Sequence, residues 1–451
     1  MKAASNMIYC LWGNDLVQTE EKYKLSRYNA FYRDGGDEYI WNTYSNALLK
    51  LDENAQGYVR SFPGKDDRSN EFSLLKNNGF AVHEQIDEYR RVYFQERQAM
   101  FNQNANQVGF VIAPGLGCNY NCGYCFEANS NLNGVMTPEI AEDTAEYICK
   151  QLKNNVNARE LKISWFGGEP LLYLDKIETI SRRIIEYSQQ NNLAYEASII
   201  TNGRYLDANT LSKLKELRIE KAQVTVDGTQ NVYCISKGAS PDDFHHVMDN
   251  IRYAADKIKL SIRLNIPDND VNEAVAITEY LLSQNDPQDK TRVYMAFVRD
   301  YSLSAEAADQ SYSNFVHNYT QWLDRCLEVY KDPIKSGLVL PRQVSTSCGL
   351  IRAHNSCIGP LGELYKCEHC FGIDSMITGD IWRGRYYNEA ELAFCSTIDT
   401  PAKSQCRQCE YLPICMGGCA NDRVYGLVNP DCEAYKRLQF KLKLLEGGVN
   451  I

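Results

Sequence analysis

Short strand-like runs and amphipathic helix-like stretches alternate about six times between residues 107 and 330. Apolar residues recur at helical spacing in the stretches that separate the runs. Parallel strands joined by helices have right-handed crossovers, and six such units curl into a barrel or partial barrel. We therefore predict an α/β fold with a partial (β/α)6 TIM-like barrel, whose active site lies at the carboxyl ends of the strands. The strand-like runs are QVGFVIAP, KISWFGG, EASIITNG, KAQVTVDG, KLSIRLNI and RVYMAF.

The segments on either side of this alternation have a different texture. Residues 1–104 contain a hairpin-like segment, a helix-like segment at 45–62 and a long amphipathic stretch at 84–102, which together are typical of a small α+β module. After residue 340 the periodicity fades, and Gly, Pro and Cys punctuate the chain. This pattern favours a domain that is held together by metal clusters rather than by a large apolar core. We predict three domains, at 1–104, 105–335 and 336–451.

Composition and charge exclude several classes of protein. The chain has 451 residues, of which 44% are apolar and 24% charged, so it can bury a large core and is not disordered. Its net charge of -10 argues against a nucleic-acid partner, because binding phosphates requires a face rich in Lys and Arg. It lacks a long apolar run and a secretory signal pattern, so a soluble, cytoplasmic protein without a membrane partner is expected.

Seventeen cysteines in a cytoplasmic protein favour metal ligation over disulfides, because that compartment keeps thiols reduced. Cys118, Cys122 and Cys125 form a C-x3-C-x2-C sequence directly after the first strand-like run. Three thiolates at this spacing can hold a four-iron cluster whose fourth iron is open to a small molecule. Tyr124, immediately before the third cysteine, offers an aromatic face for an adenine. The alternative is a zinc site or chance spacing.

The segment CNYNCGYC resembles the signature of the radical S-adenosylmethionine (SAM) superfamily. The resemblance implies that Cys118, Cys122 and Cys125 ligate a 4Fe-4S cluster. It also implies that the open iron chelates the amino and carboxylate groups of the SAM methionine, and that reduction yields a 5'-deoxyadenosyl radical that abstracts hydrogen from a substrate.

Residues at the ends of the next strands complete this resemblance. Gly167, Gly168 and Glu169 resemble the GGE motif that holds the methionyl amino group, with the glycines allowing close backbone approach to the ligand. Taken alone, GGEP is an ordinary turn. Thr201 and Asn202 end the third strand and are predicted to bind the ribose or the carboxylate. Asp227 and Asn265, at the ends of the fourth and fifth strands, are either further site residues or turn-forming residues.

The C-terminal cysteines resemble those of the SPASM domain, an extension of radical enzymes that modify peptides and proteins; a zinc domain is the alternative. The resemblance implies two auxiliary 4Fe-4S clusters, and therefore three clusters in the chain. Its first auxiliary cluster lacks one ligand, which Cys370 or Cys357 could supply, unless the fourth iron is open to substrate. Glu368, beside a predicted ligand, is our candidate catalytic base, with a solvated carboxylate as the alternative. The implied ligands are Cys348, Cys367 and Cys419 for the first auxiliary cluster, and Cys406, Cys409, Cys415 and Cys432 for the second.

The N-terminal module resembles the leader-peptide recognition elements of enzymes that mature ribosomally synthesised peptides, which are small winged-helix-like folds; a barrel-capping extension is the alternative. We predict a maturase that forms an intramolecular crosslink in a precursor peptide with a leader, and we favour a thioether over a carbon-carbon bond. A reductant such as flavodoxin or ferredoxin would supply electrons. An anaerobic sulfatase-maturing enzyme that makes formylglycine is the second hypothesis, and an electron-transfer or scaffold protein is the third.

Overall fold

The computed structural model describes residues 21–102, 105–129, 134–266, 270–283, 291–296, 298, 305–330, 340–395, 401–424 and 432–446. The chain divides into two compact units, Met1–Glu88 and Tyr89–Ile451. The predicted boundaries at residues 104 and 335 stay predictions. No helix in the described part of the chain is long and apolar enough to cross a membrane.

The first unit combines small antiparallel sheets with two helices. Gly35 and Gly36 both have positive φ, as the tight turn between β2 and β3 requires. The predicted helix at 45–62 is wrong in its first part, because residues 47–51 pair with β3 as a strand and the helix begins only after the N-cap Asp52. The elements are β1 Tyr23–Leu25, β2 Asn29–Asp34, β3 Asp37–Asn42, β4 Ala47–Leu51, α1 Glu53–Arg60, α2 Asn70–Asn77 and β5 Ala81–His83, with sheets β1-β5 and β2-β3-β4.

The second unit contains a large sheet in which six consecutive strands are parallel, and it confirms the predicted α/β fold with a mostly parallel sheet. The sheet order is β11-β10-β9-β8-β7-β6-β12-β13-β14-β15, so the first six strands of this unit, β6 to β11, lie side by side in sequence order. The parallel strands are β6 Gln107–Ile112, β7 Glu160–Trp165, β8 Ala194–Thr201, β9 Ile219–Val226, β10 Lys259–Leu264 and β11 Arg292–Met295. Beyond β6 come β12 Asn355–Ile358, β13 Glu363–Tyr365, β14 Gly379–Asp380 and β15 Gly384–Arg385.

Helices join these strands and cover one face of the sheet. The alternating burial along each strand explains the packing: Ile163, Ile199 and Val224 lie in one apolar core with helix residues such as Ile148 and Ile180. The helices are α3 Glu88–Phe101, α4 Pro138–Asn154, α5 Leu174–Gln190, α6 Ala208–Glu216, α7 Gln230–Lys237, α8 Pro241–Ala254, α9 Val271–Ser283, α10 Ala305–Tyr330, α11 Glu389–Cys395, α12 Leu412–Cys415, α13 Ala420–Val424 and α14 Cys432–Glu446.

Candidate active site

The cysteine loop follows β6 and brings three thiols into one neighbourhood. Burial raises the pKa of the Cys118 thiol to about 11, and the nearby Cys122 and Cys125 add to the shift. The amide of Tyr120 donates a hydrogen bond to the Cys118 sulfur at 3.4 Å. The three cysteines therefore lie together at the carboxyl end of the first parallel strand, where the sequence predicted a site.

The GGE turn after β7 packs directly against the backbone of this loop. The amides of Gly168 and Glu169 donate to the carbonyl oxygens of Gly115 and Gly117, at 3.3 and 3.0 Å. A Cβ atom on Gly167 would lie 2.4 Å from the Gly115 oxygen, and one on Gly168 would lie 2.3 Å from the Gly117 oxygen. The absence of side chains on these glycines thus allows the GGE turn to pack closely against the backbone of the cysteine loop.

Glu169 is completely buried beneath this turn. Its carboxylate accepts hydrogen bonds from the Leu171 amide at 3.0 Å, the Thr201 hydroxyl at 2.7 Å and the Asn202 amide at 2.8 Å. Burial raises its pKa to about 6, and these donors limit the rise. Among the described residues no Lys or Arg forms an ion pair with Glu169. A carboxylate with this environment is suited to a positively charged ligand, which would have to displace one of the covering groups.

Asn202 joins the end of β8 to the cysteine loop. Its side-chain amide donates to the Asn119 side chain at 2.8 Å and contacts the Cys118 sulfur at 3.7 Å. Because Thr201 and the Asn202 backbone also hold Glu169, the three motifs that follow β6, β7 and β8 meet at one point. The sequence placed each motif after a strand, and the parallel sheet brings them together.

A buried polar network surrounds Tyr124. Its hydroxyl lies 2.9 and 2.8 Å from the two carboxylate oxygens of Asp227, which also accepts a hydrogen bond from Ser236 at 2.6 Å. Lys237 forms an ion pair with Asp227 at 3.2 Å. Burial raises the pKa of Tyr124 far above its ordinary value, and Asp227 adds to the rise. Sequence reasoning named Tyr124 and Asp227, but it missed Ser236 and Lys237, which belong to an ordinary amphipathic helix.

Five cysteines of the C-terminal series lie close together around β12 and β13. Burial raises the pKa of the Cys357 thiol well above its usual range, and Cys348 and Cys370 contribute to this shift. A contact with the Cys370 sulfur is the main cause of the raised pKa of Cys367. The pKa of Cys348 is raised to about 11 by burial, with Cys419 among its neighbours. Both cysteines proposed to complete the first auxiliary set, Cys357 and Cys370, therefore lie beside it.

A second group of cysteines lies in the segment before α12, at the end of α12 and at the start of α14. Burial raises the pKa of the Cys409 thiol to about 12, and Cys415 contributes. The Cys409 amide donates to the Cys406 carbonyl oxygen at 3.2 Å. Cys432 is the first residue of α14, whose Lys436 forms an ion pair with Glu410 at 3.0 Å. The helix that carries Cys432 therefore packs beside the Cys406–Cys409 segment.

Glu368 lies in the same buried region as the first auxiliary set. Burial raises the pKa of its carboxyl, and Arg263 on β10 opposes the rise. One of its oxygens is buried without a hydrogen-bond partner in the described structure. The next residue, His369, stacks on Phe126 of the cysteine loop with ring centroids 4.2 Å apart. Glu368 therefore lies near β10 and the cysteine loop, and its carboxyl is not fully exposed to solvent.

No three His, Cys, Asp or Glu side chains among the described residues are arranged to hold a single metal ion. The cysteine groups are therefore defined by their spacing and by their neighbours.

Comparisons with known proteins identify the family. Residues 112–281, which include the cysteine loop and the GGE turn, match the family model of the radical SAM superfamily. These residues form a radical SAM domain. Along 95% of its length, the chain is 23% identical to the radical SAM cyclopropyl synthase TigE of Paramaledivibacter caminithermalis, of which the match covers 96%. A shorter match, 34% identical over 25% of the chain, covers 36% of an uncharacterized protein of Methanocaldococcus jannaschii.

Solved structures of the same fold include two that are bound to the cofactor. Native anSMEcpe with bound AdoMet and Cp18Cys peptide has a TM-score of 0.56 and 17% identity, over 77% of this chain and 99% of that one. SuiB of Streptococcus suis bound to S-adenosylmethionine has a TM-score of 0.51 and 15% identity, over 90% and 99% of the two chains.

The radical SAM family implies one 4Fe-4S cluster and SAM. The residues of this chain fit both groups. Three thiols from one loop can ligate three of four irons, and the buried carboxylate of Glu169, which forms no ion pair in the described structure, can hold an ammonium group.

Proposed function

We propose that this radical SAM enzyme matures a peptide by forming a bond within it, with the help of two auxiliary 4Fe-4S clusters. The observation that carries the proposal is the contact between the cysteine loop and the auxiliary cysteine region, where Phe126 stacks on His369. His369 lies between Cys367 and Cys370, so the radical-forming loop and the first auxiliary set are neighbours. The full-length likeness to a cyclopropyl synthase supports a bond-forming reaction.

In this proposal the motifs at the strand ends bind the cofactor. Cys118, Cys122 and Cys125 hold the SAM cluster, and Glu169 accepts the methionyl ammonium. Thr201 and Asn202 bind the ribose or the carboxylate, after Asn202 gives up its bond to Asn119. Tyr124 lies beside the adenine. The SAM cluster, when bound, would supply the electron that cleaves SAM to methionine and the 5'-deoxyadenosyl radical, which removes hydrogen from the peptide.

The number of cysteines around the first auxiliary set indicates which bond the enzyme forms in the peptide. Cys348, Cys367 and Cys419 are accompanied by Cys357 and Cys370, so the chain offers five thiols to four irons. A cluster closed by the chain has no iron for a substrate thiolate, which weakens the case for a thioether. Together with the likeness to a cyclopropyl synthase, this favours a carbon-carbon bond over the thioether predicted from sequence.

Glu368 is proposed as the base of this reaction. Joining two carbon atoms removes one hydrogen atom, which the 5'-deoxyadenosyl radical takes, and then one proton and one electron. The half-buried Glu368 carboxyl, one oxygen of which is buried and free of hydrogen bonds in the described structure, is the proposed acceptor of the proton. The cysteines of the two auxiliary sets would hold clusters that, when bound and oxidised, could accept the electron.

The first compact unit is proposed to bind the leader of the precursor peptide. β2 is an edge strand of the β2-β3-β4 sheet, and an extended peptide can add a strand to such an edge. A cleft of about 400 Å³ lies beside it, and Phe31 is largely exposed there. Arg33 and Arg60 line the same cleft, and both form ion pairs with Glu38, which also lines it, so the cleft is polar as well as apolar.

The test is an anaerobic reaction of reconstituted enzyme with SAM, dithionite and a candidate precursor peptide encoded beside the gene. We expect 5'-deoxyadenosine and a peptide lighter by two hydrogen atoms that keeps all its thiols reactive toward iodoacetamide. Loss of one thiol at the same mass would favour a thioether, and an aldehyde reactive toward hydrazide would favour formylglycine. Absence of 5'-deoxyadenosine would refute the proposal.

A further inference from the structure

The carboxyl end of α7 packs against the cysteine loop through its backbone. The last carbonyl groups of a helix have no partner within the helix. Here the carbonyl oxygens of Ser236 and Lys237 accept hydrogen bonds from the amides of Gly123 and Asn121, at 3.2 and 3.1 Å. The helix then ends at Gly238 in the left-handed conformation. The loop that carries Cys122 thus supplies hydrogen-bond donors to the last carbonyl groups of α7.

The side chains at this helix end form a buried pair of opposite charges. Asp227 is fully buried and Lys237 is 2% exposed, and their charged atoms lie 3.2 Å apart. Ser236 and Tyr124 also donate hydrogen bonds to Asp227. A buried ion pair depends on both partners, because removing one leaves the other charge uncompensated.

Both charges of this pair lie against the cysteine loop. The carbonyl oxygens of Lys237 and Ser236 accept hydrogen bonds from Asn121 and Gly123, the residues on either side of Cys122. Tyr124, which donates to Asp227 and accepts a hydrogen bond from Lys237 at 3.4 Å, lies between Cys122 and Cys125 in the sequence. The charge pair is therefore held against the loop by a residue of the loop itself.

We propose that Lys237 is a positioning residue that holds the cysteine loop in place and, in balance with Asp227, sets the reduction potential of the SAM cluster. The inference needs only the assignment of Cys118, Cys122 and Cys125 as ligands, and it is independent of the peptide substrate. A positive charge near a cluster favours the addition of an electron, and a negative charge opposes it. A neutral lysine replacement and a neutral aspartate replacement should therefore move the potential in opposite directions.

The experiment compares wild-type enzyme with Lys237→Met, Asp227→Asn and the double variant. Each full-length protein is reconstituted anaerobically with iron and sulfide and titrated by electron paramagnetic resonance. The signal followed is the one that changes when SAM is added, because only a cluster with an open iron binds the cofactor. We expect a lower potential in Lys237→Met, a higher one in Asp227→Asn, and a value near wild type in the double variant.

A matched control is Lys213→Met, which removes an equally charged side chain from an ion pair with Glu178 on the outer face of the same unit. It should leave the potential unchanged. Ser236→Ala keeps both charges and removes only one hydrogen-bond donor to Asp227, so it should fold. Because the Asp227 charge is then less compensated, the potential should fall, but by less than in Lys237→Met. Iron content and thermal unfolding of each apoprotein show whether a variant is folded.

Equal potentials in Lys237→Met, Asp227→Asn, Ser236→Ala and wild type would overturn the inference. A wild-type protein with no SAM-responsive signal would instead overturn the assignment of the three cysteines. The pattern of opposite shifts that cancel in the double variant separates an electrostatic role from a purely structural one, because loss of structure would lower cluster content in the double variant as well.

Discussion

Replacing Glu169 by Gln tests whether the carboxylate of the GGE turn holds the methionyl ammonium of SAM. The change keeps the size of the side chain and removes its charge. A hydrogen bond to a charged group contributes about 1.5–3 kcal/mol. Losing one such bond to the cofactor should raise the dissociation constant of SAM by about 10- to 150-fold.

The assay is anaerobic titration calorimetry of SAM into reconstituted enzyme, with iron content measured in parallel. The matched control is Glu363→Gln, because Glu363 is also a buried glutamate and accepts a hydrogen bond from the Leu361 amide. We expect the control to keep wild-type affinity. If Glu169→Gln carries its full iron and binds SAM as tightly as the control, the carboxylate only stabilises the turn and our reasoning is wrong.

The same carboxylate should give the apoprotein a measurable pH dependence. Burial raises the pKa of Glu169 from 4.5 to about 6, so the folded protein binds its proton more tightly than the unfolded chain does. The stability that this proton provides is complete below pH 4.5 and is lost as the pH rises through about 6. A shift of this size corresponds to about 2 kcal/mol. Urea unfolding should show the advantage of wild type over Glu169→Gln falling by that amount between pH 4.5 and 7, and a constant difference would contradict the assigned environment.

Three further predictions concern the separate roles of the cysteine loop, the auxiliary cysteines and the first compact unit. Replacing Cys118, Cys122 and Cys125 by Ala should remove about four irons and all SAM cleavage, measured as 5'-deoxyadenosine; retained cleavage would refute the ligand assignment. Cys409→Ala, once shown to be folded, should still cleave SAM but make no modified peptide, and product formation at the wild-type rate would reduce the auxiliary clusters to a structural role. Deletion of residues 1–87 should spare SAM cleavage and weaken binding of a precursor with its leader, and equal affinity would reject the recognition role of that unit.

The parallel sheet could be predicted from the sequence because each of its strands carries its own local signal. Each strand-like run between residues 107 and 297 contains a strand of the sheet, and the motifs at 118–125, 167–169 and 201–202 follow three of them directly. The local signal failed at residues 47–51. There the apolar pattern suits a helix as well as a strand, and pairing with β3 decides the outcome.

The polar network at the cysteine loop could not be predicted in the same way. Lys237 lies at the end of a short amphipathic helix, where a lysine usually faces solvent. Its burial depends on the approach of α7 to the cysteine loop and on the position of Asp227, both of which are tertiary contacts. The close contact that requires glycine at positions 167 and 168 could not be predicted either, because the backbone that these residues approach lies some fifty residues earlier in the chain.

An aromatic cluster brings together two cysteine regions that lie far apart in the sequence, as their proposed action on one substrate requires. Phe126 follows the last cysteine of the loop, Phe166 precedes the GGE turn, and His369 lies within the auxiliary series. Phe126 stacks on His369 at 4.2 Å and on Phe166 at 6.2 Å, and Phe166 packs at 6.3 Å from Phe371. Each such ring pair contributes about 0.5–1.5 kcal/mol beyond the burial of its area. Packing of aromatic side chains next to the cysteine loop, the GGE turn and the auxiliary cysteines therefore fixes the position of the Glu368 segment relative to the cysteine loop.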